Sequence, residues 1–186
     1  EMFRQHQSMA GDPYRLKPGF PFARIQRGRK RFRQRELGLV NFSVPSSVRS
    51  MLFGTPIADL YVQPHIGGDV AFFVGIAKAL LERGAIDRDY IANATEGWAD
   101  FENFLNAVSW DEIVAQSGVD RATIDHVTDV YAASRGAVFA WAMGVTHHAH
   151  GVQNVQAIGN VALMRGMLGR KHAGLLPIRG HSNVQG

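Results

Sequence analysis

The sequence predicts an α/β fold, an open parallel sheet with flanking helices, and three observations carry that prediction. A short, almost wholly apolar run, Ala137-Val138-Phe139-Ala140-Trp141, lies between Gly136 and Gly144, as a strand buried on both faces does. A polar, glycine-containing loop follows it, Gly144 to Gly151. Val152 to Met167 then repeats apolar residues at helical spacing, with Val155, Ile158, Ala162 and Leu163 inward and Gly166 and Gly169 ending the helix. Strand, loop and helix in that order form the unit of a crossover sheet.

The preceding elements read in order as follows. Residues 1–35 have no sustained period and are punctuated by Gly11-Asp12-Pro13, Pro18-Gly19 and Pro21, so they form an irregular N-terminal segment. Leu37 to Val40 is apolar and Ser43 to Ser50 is turn-rich, which reads as connecting chain, and the short run Leu60-Tyr61-Val62 stops at Pro64. Val70 to Arg83 places Phe73, Ile76, Ala77, Leu80 and Leu81 on one helix face, with Asp69 as N-cap and Gly84 as the stop. Asp87 to Asn93 and Trp98 to Ala107 suggest two further short helices. Ser109-Trp110-Asp111-Glu112 has the spacing of a capping box and opens a helix to Gln116. Asp120 caps another to about Ser134, with Ile124, Val127, Val130 and Tyr131 on one face.

Composition excludes several classes of function. The 186 residues are 46% hydrophobic and 19% charged, enough apolar material for the core of one domain and too much for a disordered chain. There is no apolar run of about 18 residues and no signal-like apolar region at the start, so neither a membrane segment nor secretion is expected, and a cytoplasmic location follows. The absence of cysteine rules out disulfides, thiolate zinc sites, cysteine nucleophiles and an iron–sulfur cluster held by these residues. Residues 1–50 carry eleven Lys and Arg against three Asp and Glu, a net of +8, whereas 51–186 carry nine against thirteen, a net of −4. The focus is Arg24 to Arg35, which reads as a solvated arm; a nucleic-acid-binding module built on it would rest on charge alone, and no specific nucleic acid is expected.

Three stretches hold chemistry. The loop Gly144-Val145-Thr146-His147-His148-Ala149-His150-Gly151 lies where a strand hands over to a helix N-terminus, the place where open α/β sheets collect anionic ligands. It is neither a Gly-x-Gly-x-x-Gly nor a Walker sequence. Its histidines lack the i, i+4 spacing of helix-borne metal ligands, so hydrogen bonding to a bound anion or to loop backbone is the expected role of His148 and its neighbours, and no metal ligand is assigned. Gly67-Gly68-Asp69 reads as a tight turn and helix cap, or as a carboxylate that accepts N–H bonds from a nucleotide base. Arg179 to Gly186 crowds a guanidinium, an imidazole, a hydroxyl and two amides between glycines, a donor density suited to an anion or cofactor. Its stop without a closing helix or strand suggests a piece of something longer.

The ordered series Met143-Gly144-Val145-Thr146, Gly151-Val152-Gln153-Asn154-Val155-Gln156-Ala157-Ile158, Leu163-Met164-Arg165-Gly166-Met167-Leu168-Gly169 and Gly174-Leu175-Leu176-Pro177-Ile178-Arg179-Gly180-His181-Ser182-Asn183-Val184-Gln185-Gly186 resembles the central part of molybdopterin oxidoreductases, formate dehydrogenase alpha subunits above all. Ser50 to Asp59 and Gly67 to Asp69 look like the same group, so the likeness covers residues 36–186 and leaves out the basic segment 1–35. The resemblance implies a Rossmann-like open sheet with flanking helices, within a larger molybdopterin-binding catalytic subunit. It implies two molybdopterin guanine dinucleotides holding molybdenum or tungsten, and two-electron chemistry on a small substrate such as formate. It also implies a 4Fe-4S cluster in a part of the family enzyme outside these residues, with an electron-transfer partner or the remainder of the catalytic subunit as protein partner.

Carried over by position, Gly68 and Asp69 stand where the family's Gly-Thr-Asp meets the guanosine end of one cofactor, with Gly68 in place of the usual Thr. Met143, Gly144 and Thr146, with His148, match the pterin and pyrophosphate loop; Gly180, Asn183, Gln185 and Gly186 match cofactor contacts. Arg179 matches the arginine beside the metal, and His181, the second catalytic candidate, stands where formate dehydrogenases often have Gln. A fixed, permanently charged fork at Arg179 suits bidentate binding of a small carboxylate. The competing expectation is an inactive, truncated remnant that acts at most as a nucleotide- or cofactor-binding module, and these residues alone are not expected to turn over substrate.

Overall fold

The computed structural model of the chain describes residues 40–41, 55–56, 58–147, 149–178 and 180. The chain divides into two compact units at residues 63 and 64. In the smaller, β1 (Val40–Asn41) pairs antiparallel with β2 (Thr55–Pro56), Val40 opposite Pro56 and Asn41 opposite Thr55. This short ladder stands in what reads from sequence as plain connecting chain.

The larger unit is built round α1 (Asp69–Glu82), which packs against four other helices. Its residues explain that position: Val70, Ala71, Val74, Ile76, Ala77, Ala79 and Leu80 are all buried. The small ones let neighbours come close, and a Cβ on Gly75 would stand 2.9 Å from Ile113 and 3.2 Å from Ile124. The helix is therefore apolar on more than the predicted face, and Phe73 and Leu81 are only half-buried. Its start also differs. Gly68 is the N-cap and Asp69 the first helical residue, because the turn in which Gly68 N–H donates to His65 C=O (2.8 Å) begins the helix one residue earlier. Asp69 there complements the helix dipole instead of capping it. At the other end Gly84 (φ 62°) supplies the left-handed stop and donates to Leu81 C=O at 3.0 Å. Lys78, buried in this helix, donates from Nζ to Leu105 C=O (2.7 Å), a carbonyl in the last turn of α3 (Trp98–Ala107).

The caps read from sequence at Ser109 and Asp120 are in place, and Asp87, read as the first residue of a short helix, caps its own. Asp87 accepts Tyr90 N–H at the start of α2 (Arg88–Ala94), Ser109 accepts Glu112 N–H at α4 (Trp110–Ser117), and Asp120 accepts Thr123 N–H at α5 (Arg121–Ala133). On α5 the buried pair is Ile124 and Thr128, whose hydroxyl donates to Ile124 C=O at 2.8 Å. Val130, expected inward, is 57% exposed. Satisfying its hydroxyl on the preceding turn lets threonine occupy an apolar face that hydrophobicity alone assigns to valine.

The last part is a β-α-β unit: β3 (Val138–Trp141), the one-turn α6 (Met143–Thr146), α7 (Gly151–Met164) and β4 (Gly174–Pro177). β3 and β4 pair in parallel, Val138 opposite Gly174 and Trp141 opposite Pro177. Among the described residues the parallel sheet has these two strands, so this is a mixed helical fold with a small parallel sheet. β3 is not buried on both faces as its apolar run predicts. Phe139 meets Tyr131 of α5 edge-on (ring centroids 5.4 Å apart), while Val138 is 57% exposed and Ala140 also faces outward, where no described element covers the sheet.

Tyr131 ties α5 to α7, its hydroxyl donating to Val161 C=O at 3.1 Å. Burial pushes its pKa up to about 12, against the opposing pull of the Arg165 and Arg170 charges. The unfolded chain releases this proton near pH 10 and the folded chain does not, so the contribution is intact below about pH 10 and is lost as pH rises through about 12. Denaturant midpoints measured from pH 8 to 12 should fall across that window in the native chain and fall less in Tyr131→Phe; equal slopes contradict it.

Candidate functional site

Parallel pairing sends the chain out of β3 and β4 at the same edge of the sheet. The ladder continues past the strands, since Ile178 N–H donates to Trp141 C=O at 2.7 Å. Next to this point α6 begins on one side and Gly180 stands on the other. The two meet: a Cβ built on Gly180 would lie 2.9 Å from Met143 Sδ and 3.0 Å from its Cε. The Met143 thioether thus fills the space beside Gly180 that a side chain would take.

The polar, glycine-containing loop read from sequence begins with one helical turn. Met143 (41% exposed), Gly144 and Thr146 point outward, and a Cβ on Gly144 would meet nothing within 4 Å. The Thr146 hydroxyl donates to Met143 C=O at 3.2 Å, and His147 N–H to the same carbonyl at 2.8 Å, which closes the turn. α7 starts immediately beyond with His150 as N-cap and no side-chain cap bond. Its first N–H groups, left uncapped by that side chain, and the positive end of its dipole belong to the same edge.

Met143, Gly144, Thr146 and Gly180 are therefore brought together. Gly68 and Asp69 belong to a different helix, and the side of Gly68 where a Cβ would stand is filled by α4, with Gln116 C=O 2.8 Å and Ser117 C=O 2.9 Å away. Arg179, His181, His148, Asn183, Gln185 and Gly186 lie outside the described residues.

Two residues that matter here escape a reading by motif. Gly151 is buried, and a Cβ on it would come within 3 Å of the Thr146 backbone at three atoms, C=O oxygen nearest. Asn154, fully buried, donates from Nδ2 to Val145 C=O at 2.8 Å. A polar residue three positions after a helix-opening glycine was the available signal. Arg165 also stood unremarked. Its guanidinium donates to the carbonyls of Tyr131, Ala132 (2.9 Å) and Ser134 (3.2 Å) at the end of α5 and lies 4.9 Å above the Tyr131 ring.

A cleft of about 490 Å³ opens elsewhere, lined by Asp87, Arg88, Asp89, Ala132, Arg165 and Arg170 among others. Its cations are engaged inside the fold: Arg165 on α5, Arg170 on Arg135 C=O (3.0 Å) and near Asp87 (3.6 Å), Arg88 with Glu102 (3.4 Å).

No protein-family model matches the chain. Curated proteins do. An uncharacterised oxidoreductase of Mycobacterium tuberculosis is 39% identical over 158 residues, 81% of this chain and 20% of its own length. The protein YdeP of Escherichia coli is 36% identical over 163 residues, 81% of this chain and 22% of its own. Formate dehydrogenase H of Escherichia coli is 30% identical over 130 residues, 70% of this chain and 18% of its own. Among solved structures, acetylene hydratase from Pelobacter acetylenicus matches the fold with a TM-score of 0.58 at 17% identity, over 62% of this chain and 16% of that one.

The curated relatives include oxidoreductases, formate dehydrogenase H among them. The chain belongs with the molybdopterin oxidoreductases, as its sequence motifs imply, and spans about a fifth of the length of the curated relatives it matches.

Proposed function

We propose that these residues form one wall of the cofactor cleft in a molybdopterin guanine dinucleotide-dependent oxidoreductase that acts on a small carboxylate such as formate. The observation that carries the reading is the convergence of α6 and the segment after β4 at one sheet edge, fastened by Met143 on Gly180. The residues fit the group. The exposed α6, the open space at Gly144 and the N-terminus of α7 without a side-chain cap suit a pyrophosphate-bearing ligand, which needs backbone donors and room more than side chains. The cofactor, when bound, supplies the two-electron redox chemistry.

The chain's residues supply orientation and charge. Met143, Gly144 and Thr146, with His148, hold the pterin and pyrophosphate end; Gly180, Asn183, Gln185 and Gly186 add contacts from the β4 side. Gly68 and Asp69 serve a guanosine end. Arg179 binds the substrate carboxylate as a bidentate fork, with His181 as the second catalytic residue. A cluster and a partner held by other residues would take up the electrons. The longer protein carries a wider Rossmann-like sheet and works in the cytoplasm. No helix among the described residues is long and apolar enough to cross a membrane.

In the complete enzyme, Arg179→Ala should lower turnover about 100-fold or more while molybdenum or tungsten and pterin content stay level. An unchanged rate removes Arg179 from the catalytic list. A native protein without metal or pterin overturns the reading as a whole.

A further inference from the structure

α6 is too short to hold itself. A four-residue turn leaves most of its carbonyls without an i+4 partner, and Val145 C=O is turned towards the protein. Asn154 answers that carbonyl from a fully buried position at 2.8 Å. Gly151, three residues earlier on the same face of α7, lets the Thr146 backbone rest directly against it. The Asn154 amide and the bare Gly151 backbone form a seat for α6 on the first turn of α7. The outer edge of α6, with Met143, Gly144 and Thr146, stays exposed.

We infer that Asn154 is a positioning residue, which acts through the Val145 carbonyl to keep α6 and the α7 N-terminus in one fixed arrangement for an anionic ligand. The inference rests on the function proposed above for its consequence, and on geometry alone for the seat. Asn154 touches the turn that meets the ligand and takes no part in the chemistry.

The test compares the full chain with Asn154→Asp, which keeps shape but replaces the amide donor, and with Asn154→Ala, which removes it without adding charge. Hydrogen exchange is followed by mass spectrometry, and pterin and metal content are measured on the same samples. Amides of 143–147 should exchange about tenfold faster in both variants, with those of 157–164 unchanged, the size expected for one lost buried hydrogen bond. Pterin content should fall several-fold in parallel. Unchanged exchange at 143–147 overturns the seat. Faster exchange with full pterin retention overturns the positioning role and leaves the seat standing. If the native chain itself holds no pterin, the proposed function fails, while the exchange result still decides the seat.

Discussion

Truncation of Arg165 to alanine should cost the fold about 3 kcal/mol, one of the two largest losses expected from a single exchange in this chain. The guanidinium stands at the end of α7 yet donates to three carbonyls at the end of α5, of which Tyr131 C=O also accepts from Ser134 N–H and the Ser134 hydroxyl. It also covers the Tyr131 ring. Removing it takes a charged donor away from part-buried carbonyls, Ala132 and Ser134 above all, and uncovers an aromatic face at once. Arg165→Lys should recover less than half of the loss, because one ammonium cannot span carbonyls that a planar fork reaches from two nitrogens. Denaturant unfolding measures both, and a loss below about 0.5 kcal/mol for the alanine variant contradicts the assignment.

Gly151→Ala is the second. The added methyl would meet the backbone of Thr146, which cannot swing aside as the tip of a side chain can. Overpacking of this kind costs about 1–3 kcal/mol. Gly144→Ala is the control for stability: its Cβ enters open space, and a change within about 0.5 kcal/mol is expected. Thermal or denaturant unfolding of the pair separates a close-approach glycine from one that structure does not require. Equal losses in the two would mean that α6 does not sit on α7 as described.

What was legible beforehand was local. Asp87, Ser109 and Asp120 cap their helices because the bond each makes lies within three residues, so sequence contains the whole interaction. Gly84 stops α1 for the same reason. The misread positions depend on distant partners. Val130 and Thr128 exchange places on α5 because a hydroxyl can be satisfied within its own helix, which a hydrophobic pattern does not register. β4 was not foreseen, since a strand of Gly174 to Pro177 acquires meaning only from its pairing with β3. In the site, motif resemblance picked out Met143 and Gly180 separately. Their contact follows from parallel register between residues 141 and 177, which no local spacing contains. Arg165 and Asn154 look like ordinary polar residues until the carbonyls they serve are in place.

The parallel register also sets an order of assembly. A hairpin can close over a two-residue turn, whereas β3 and β4 can pair only after α6, α7 and the turn beyond them have folded back across the sheet. Closure across that length forfeits chain entropy before any ladder bond returns it, so the helices round α1 form first and the two-stranded edge last. The end of the unit where β3 and β4 pair is then the final part to become ordered, and the first to open when the fold is weakened.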